Sequence, residues 1–294
     1  MKGQRYISFQ SIFTVIDWWH EPIEGEDFEH QGYLNTFVLS PKLLYGLTNK
    51  LNLSLSGTLG VRAMRWDSPH KSIHHRNEST LSDFVNARGS ILGDSKAILN
   101  YVIKSTKTGD GLRIYAGTGL TVPSKSVLTS DPFSLQDSGQ QTKHRHFSLS
   151  NGTYNSIAEL QIFYKRNINP VFIGGFITFE RPIKASQYGY LPSTLTSLSI
   201  SASFMNYDQK ESSIDYGISL LHSSKAFWND KYAPNSESLT ALPSLGYLFN
   251  SRFGVISINI QKPIFLSGAF AGNEGDLKQK NGVWQASLSL RIVG

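Results

Sequence analysis

A long alternation of apolar and polar residues is the feature that most constrains how this chain can fold. Between positions 51 and 63 the odd positions carry Leu, Gly, Val or Ala, and the even positions carry Asn, Ser, Thr, Gly or Arg. Successive side chains of a strand point to opposite faces, so this repeat predicts a strand with one apolar face. The pattern recurs at 112–122, 198–204, 256–260 and 286–292, and no amphipathic helix of ten residues is predicted. We therefore expect an all-β protein.

The same reading predicts twelve strands, each eleven to fifteen residues long. They are expected at 5–17, 34–47, 51–65, 93–104, 111–122, 154–165, 171–181, 194–206, 212–222, 238–248, 253–263 and 282–292. Strands of soluble sheets are mostly about 5 to 6 residues long, whereas a tilted strand needs about 9 to 11 residues to cross a bilayer. Strand length therefore favours a transmembrane barrel over a sandwich.

The connections between these strands alternate between short and long. Short turns are predicted at 48–50, 105–110, 166–170, 207–211 and 249–252, and long loops at 18–33, 66–92, 123–153, 182–193, 223–237 and 264–281. Short turns on one side, long loops on the other and an even strand number are typical of bacterial outer-membrane barrels. We predict one antiparallel transmembrane β-barrel domain over residues 1–294, with the two longest loops, 66–92 and 123–153, as its constriction or lid.

Composition excludes several other classes of protein. The chain has no Cys, which removes disulfide frameworks and thiol nucleophiles, and no apolar run near the roughly 18 to 20 residues of a membrane helix. Its 28 basic residues are spread along the chain without a patch, so nucleic acid is not an expected partner. The first 17 residues form no signal-peptide apolar core, so we expect the leader of an exported barrel to have been removed. Outer-membrane lipid and lipopolysaccharide are the expected surroundings, and the oligomeric state is left open.

A barrel of twelve strands is wider than the eight-stranded size that side chains fill, so a polar, wet interior is predicted. The polar faces of the strands supply the candidate lining residues. These are Arg62, Lys96, Asn100, Arg113, Glu159, Gln161, Lys165, Glu180, Asp215, Asn259 and Gln261. They favour a channel or transporter that passes small organic solutes by passive diffusion. The alternative is a structural or adhesive surface barrel that binds a partner or a metal through its loops.

Enzymatic chemistry has little support in the sequence. It contains no G-x-S-x-G elbow, no H-E-x-x-H pair and no phosphate-binding Walker motif, so neither an enzyme nor a cofactor is expected. The eight His residues all fall in or beside the long loops, and two groups have spacings that could chelate a divalent metal. The candidate ligands are His70, His74, His75, His144 and His146. The simpler interpretation is that exposed loops collect polar residues.

Several segments resemble a known family of outer-membrane barrels. GDSKAILNYVI (93–103) followed by GLRIYAGTGLTVPS (111–124) is similar to its paired-strand signature, and LSNGTYNSIAELQIFYKR (149–166) to its small-residue segment leading into a strand. The family is named for the meta-pathway of phenol degradation, and the resemblance covers roughly residues 90 to 294. It departs at Pro123 and Ser124, where the family tends to have Pro-Thr-Gly. The resemblance implies passage of small aromatic or hydrophobic compounds.

Overall fold

The structure is a computed structural model that describes residues 2–72, 75–106, 109–134, 143–206, 212–268, 270–271 and 278–293. Twelve antiparallel strands follow one another around a barrel. Their bounds are β1 Arg5–His20, β2 His30–Gly46, β3 Leu51–Ser56 with Leu59–Trp66, β4 Ser95–Lys104, β5 Gly111–Val122, β6 Asn155–Lys165, β7 Phe172–Pro182, β8 Leu195–Met205, β9 Ser212–Ser223, β10 Ser238–Ser251, β11 Gly254–Gln261 with Ile264–Gly268, and β12 Gln279–Val293.

The sheet is closed because β1 pairs with both of its neighbours in the ring. In the pairing of β1 with β2, His20 is opposite His30. In the pairing of β1 with β12, Tyr6 is opposite Val293. Closure lets the first and last strands satisfy each other's backbone groups, which a sheet surrounded by lipid requires. The predicted twelve-stranded antiparallel barrel is confirmed.

The first hairpin is longer than the sequence pattern predicts. β1 continues to His20 and β2 begins at His30, so the predicted loop 18–33 shrinks to residues 21–29. The alternation of apolar residues stops earlier because the outward positions near the end of β1 are Asp17 and Trp19, which suit a membrane interface better than its core. Backbone pairing between β1 and β2 therefore extends beyond the residues that show the apolar–polar alternation, and Trp18 lies on a strand.

Two of the described strands are interrupted, and three of the long loops carry short strands of their own. β3 breaks at residues 57–58, and β11 breaks at 262–263, where Pro263 has no N–H to donate to the sheet. In loop 66–92 the short strand Glu78–Ser79 pairs with β3. The short strands Tyr190–Leu191, Phe227–Trp228 and Lys231–Tyr232 form a separate small sheet on the long-loop side. No helix of a length and apolarity suited to crossing a membrane occurs in the described residues.

The outer face of the barrel is apolar and exposed. On β8, for example, Leu198, Ile200 and Phe204 have exposed fractions of 43%, 55% and 38%, while the intervening residues are Ser199, Ser201 and Ser203. The same contrast recurs around the ring, with Ile260 on β11 and Leu288 on β12 about half exposed. An apolar belt of this extent exceeds what a soluble monomer presents to water, so it suits a lipid environment.

Candidate functional site

The interior wall is built from the strand positions that oppose one another across the ladders. In an antiparallel pair, directly opposed residues lie on the same face of the sheet. Asn100 on β4 opposes Gly117 on β5, which opposes Glu159 on β6. A Cβ atom at Gly117 would lie 2.5 Å from Asn100 Oδ1 and 2.6 Å from Glu159 Cγ, so the glycine leaves room for both neighbours. Gln161 Nε2 donates to Glu159 Oε1 at 3.1 Å.

An ion pair spans this wall near its long-loop end. Lys96 Nζ on β4 lies 2.5 Å from Glu180 Oε2 on β7, and the two strands between them contribute further donors. Thr121 Oγ1 donates to Glu180 Oε1 at 2.7 Å, and Asn155 Nδ2 donates to the same oxygen at 2.9 Å. Strands that have two others between them can share such a contact only where the sheet is concave. The network therefore marks the inner face, and Glu180 has hydrogen bonds that hold its charge in place.

On strands β8, β9, β11 and β12 the inner face carries hydroxyl groups. Ser199 and Ser219 share a hydrogen bond of 2.7 Å, Ser257 and Ser289 share one of 2.6 Å, and Ser203 donates to Asp215. These residues alternate with exposed apolar side chains, so they lie on the inner face. The inward serines of β8 are Ser197, Ser199, Ser201 and Ser203. The sequence prediction concentrated on charged and amide groups and missed them, although the same two-residue repeat contains the signal.

The predicted lining residues can now be placed. All eleven occupy the face opposite the exposed apolar side chains, in registers that connect neighbouring strands. Asp215 and Asn259 both lie within 3.4 Å of where a Cβ on Gly246 would stand, so the two side chains flank this glycine on β10. Arg113 is near the short turns, where its Nη2 donates to the carbonyl of Gly109 at 2.9 Å. The role of these side chains in solute passage stays a prediction.

The two longest loops pack against each other. The Asn86 side chain donates to the carbonyl of Arg145 at 3.0 Å and accepts from its backbone N–H at 2.8 Å. Both residues are buried, and burial lowers the pKa of the Arg145 guanidinium. In the same cluster, burial raises the pKa of Glu78, and the charge of Arg76 partly opposes that shift. The loops thus form one unit with a polar, desolvated centre.

Arg62 of β3 connects this loop unit to the barrel. Its guanidinium carbon lies 5.7 Å from the centre of the Phe147 ring in loop 123–153. Its backbone N–H donates to Thr80 Oγ1 in loop 66–92 at 3.1 Å, and its carbonyl accepts from the Thr80 N–H at 2.9 Å. The inward Arg62 side chain therefore places Phe147 of loop 123–153 against the inner surface of the wall, whereas loop 66–92 is hydrogen-bonded to the β3 backbone beside its strand Glu78–Ser79.

The structure groups the loop histidines differently from their spacing in sequence. His75 lies beside His20 and His30, whereas the ring of His70 stacks on Phe28 with centroids 4.7 Å apart. The rings of His144 and His146 approach to 4.9 Å. His74 lies outside the described residues. His20 and His30 were not among the predicted metal ligands, because neither has a second histidine nearby in sequence.

Comparison with known proteins supports the fold. The chain matches no family model and no curated protein sequence. An outer-membrane channel from Pseudomonas putida F1 is similar in structure, with 10% sequence identity, a TM-score of 0.55 and coverage of 99% of this chain and 96% of that one. The P. putida toluene transporter TodX is less similar, with 10% identity, a TM-score of 0.45 and coverage of 99% and 90%. The KdgM porin has 8% identity, a TM-score of 0.39 and coverage of 94% and 98%. The resemblance to the phenol-degradation barrels stays a prediction.

Proposed function

We propose that this protein is a channel of the bacterial outer membrane that passes small solutes by passive diffusion through the barrel interior. The observation that carries the proposal is the contrast between the two faces of the wall. Lys96 and Glu180 form an ion pair across the inner face, while residues such as Ile200 expose apolar side chains on the outer face. Lipid outside and water inside satisfy both faces, as in other outer-membrane barrels.

The interior suits weak and repeated contact with solutes. Hydroxyl, amide and charged groups of both signs follow one another along the wall, and they can replace part of the hydration of a passing molecule without holding it tightly. The packed loops 66–92 and 123–153 narrow the route at the long-loop end. The route past these loops is therefore the expected selectivity region.

Aromatic side chains among the polar groups support small organic solutes as the cargo. Phe176 is 41% exposed, and its register partners Gln161 and Ser199 place it on the inner face. The rings of Phe163 and Phe172 stack with centroids 5.0 Å apart on the same face. An exposed ring in a wet interior offers an apolar surface to aromatic or hydrophobic molecules.

Planar-bilayer recording tests this proposal directly. Purified protein is expected to give discrete conductance steps, and Glu180→Gln is expected to shift the reversal potential in a salt gradient toward anion preference, because an inward negative charge is removed. Thr118→Ser, at an outward position of the same wall, is the matched control. Absence of conductance, both in the wild type and after the loops are loosened by Asn86→Ala, would contradict a channel.

A surface barrel with a closed interior is the second candidate. It is favoured by the buried polar contacts that join the two longest loops and attach them to Arg62. The small sheet on the long-loop side would then be a surface for a partner, with Tyr190 stacked on the buried Trp228 at 4.7 Å as its rigid centre. Silent bilayers together with a folded, heat-modifiable protein would favour this role over the channel.

A further inference from the structure

Three histidines meet inside the barrel at its long-loop end, and we propose that they bind a divalent transition metal such as zinc. His20 ends β1, His30 begins β2, and His75 comes from loop 66–92. One candidate nitrogen from each ring lies within 4.8 Å of the other two. The bound ion would connect the loop to the barrel wall through side chains on both. Metal binding itself does not depend on the channel function proposed above.

The barrel register brings the first two ligands together. His20 and His30 are directly opposed, with ring centroids 4.6 Å apart, and His30 is fully buried. Two positions along each strand, Trp18 opposes Gly32, and a Cβ at Gly32 would lie 2.8 Å from the Trp18 ring. Because Gly32 has no side chain, the Trp18 ring can occupy this position and pack beside the pair of histidines.

The spacing of two of the three imidazoles, those of His20 and His75, fits a tetrahedral ion. His20 Nε2 and His75 Nε2 are 3.3 Å apart. Two ligands that each lie about 2.0–2.1 Å from a tetrahedral zinc are separated by about 3.3 Å, because the angle between them is near 109°. Imidazole nitrogen is a ligand that zinc, copper and nickel accept readily. The same distance is long for a hydrogen bond between two ring nitrogens.

The surrounding contacts orient the rings for binding. His20 Nδ1 lies 2.7 Å from the carbonyl oxygen of Glu21. A carbonyl only accepts hydrogen bonds, so this nitrogen carries the proton and Nε2 presents its lone pair toward His75. Glu26 Oε2 lies 2.8 Å from His30 Nε2, which places a carboxylate beside this ring, and metal-binding histidines commonly have such a neighbour.

Ser72 ties the third ligand to the same carboxylate. Its hydroxyl donates to Glu26 Oε2 at 2.8 Å and accepts from the backbone N–H of His75 at 2.9 Å. The position of His75 is thus coupled to the group that orients His30. The ring of His75 also packs on Trp18 at 4.7 Å and on Trp66 at 5.2 Å, which removes water from one side of the site.

Calorimetric titration of the full chain in detergent, after chelator treatment, tests the proposal with zinc as the probe. We expect one zinc per chain. His75→Ala should weaken binding by more than the roughly 10- to 100-fold that loss of an outer-shell group costs, and Glu26→Gln should fall within that range. His222→Ala, on β9, is the matched control and should bind as the wild type does. His70→Ala should also retain binding, although spacing in sequence suggests His70 as a ligand.

Several outcomes would overturn this site. No heat above buffer, or wild-type affinity in His75→Ala, would mean that the cluster is aromatic packing alone. If His70→Ala lost as much zinc affinity as His75→Ala, the ligand set suggested by the sequence would be favoured instead. A heat-modifiability gel identifies variants that fail to fold, and His75→Gln then replaces the alanine variant. As an independent readout, zinc should slow protease cleavage in loop 66–92 of the wild type and leave the rate for His75→Ala unchanged. If zinc slowed cleavage to the same extent in both proteins, the proposed connection of loop 66–92 to the barrel wall through the metal would be contradicted.

Discussion

Substituting arginine for Ile200, and separately for its neighbour Ser201, tests the two-faced wall at one height in the membrane. Ile200 is the central residue of β8, with five residues on either side, and 55% of its surface is exposed. A strand rises about 3.4 Å per residue, so a tilt of about 40° leaves roughly 13 Å of height between this residue and each end of the strand. The apolar band of such barrels is about 25 Å tall, which places Ile200 at its midplane.

The expected cost follows from that depth. An arginine facing lipid at the midplane destabilises a barrel by about 2–4 kcal/mol, which is roughly a 30- to 800-fold change in the folding equilibrium constant. Ser201 faces inward, and its register partners on the two adjacent strands are Gly217 and Gly174. Ser201 is itself exposed, so an arginine there extends into the wet interior and its cost should stay below about 1 kcal/mol, as is usual for a solvated position.

Urea unfolding of barrels folded into lipid vesicles, followed by tryptophan fluorescence, measures both variants under the same conditions. The chain has five Trp residues, so an added reporter is unnecessary. The reasoning predicts a large loss of stability for Ile200→Arg and a small one for Ser201→Arg. A neutral Ile200→Arg, or a Ser201→Arg that is equally destabilising, would refute the assignment of the two faces.

Three other perturbations test the loops and the first hairpin. Asn86→Ala leaves the backbone groups of Arg145 without their side-chain partner, so we expect the loop unit to lose about 1–3 kcal/mol and to be cut faster in limited proteolysis. Gly32→Val introduces a side chain where the neighbouring strand and ring leave no space, and a lower midpoint in urea unfolding is expected, whereas Gly57→Ala, whose added Cβ would have its nearest neighbour at 3.9 Å, should show less loss. Hydrogen bonding from the Lys278 backbone lowers the pKa of Glu21, so this contact is stable above the ordinary carboxyl pKa and is lost as pH falls through the lowered value. Amide-exchange protection at Lys278, measured by NMR, should fall at acid pH in the wild type and lose that dependence in Glu21→Gln.

The strand pattern could be predicted because it is local. Whether residue 198 or 199 faces lipid depends only on the two-residue period of the strand, and the residue types along β8 report it directly. Strand ends were less predictable. At the end of β1 the outward positions leave the apolar band while hydrogen bonding continues, so Trp18 and His20 were assigned to a loop that begins only at residue 21.

The candidate sites divide in the same way. The sequence by itself determined that the chain forms a series of strands long enough to cross a membrane. It also determined which face of each strand is polar and which loops are long. Only the tertiary structure decided that Lys96 meets Glu180, 84 positions away, and that His75 joins His20, 55 positions away, instead of His70. These contacts depend on strand order, register and the curvature of a closed sheet. Such properties arise from pairing between distant segments, and the spacing of residues along one segment does not encode them.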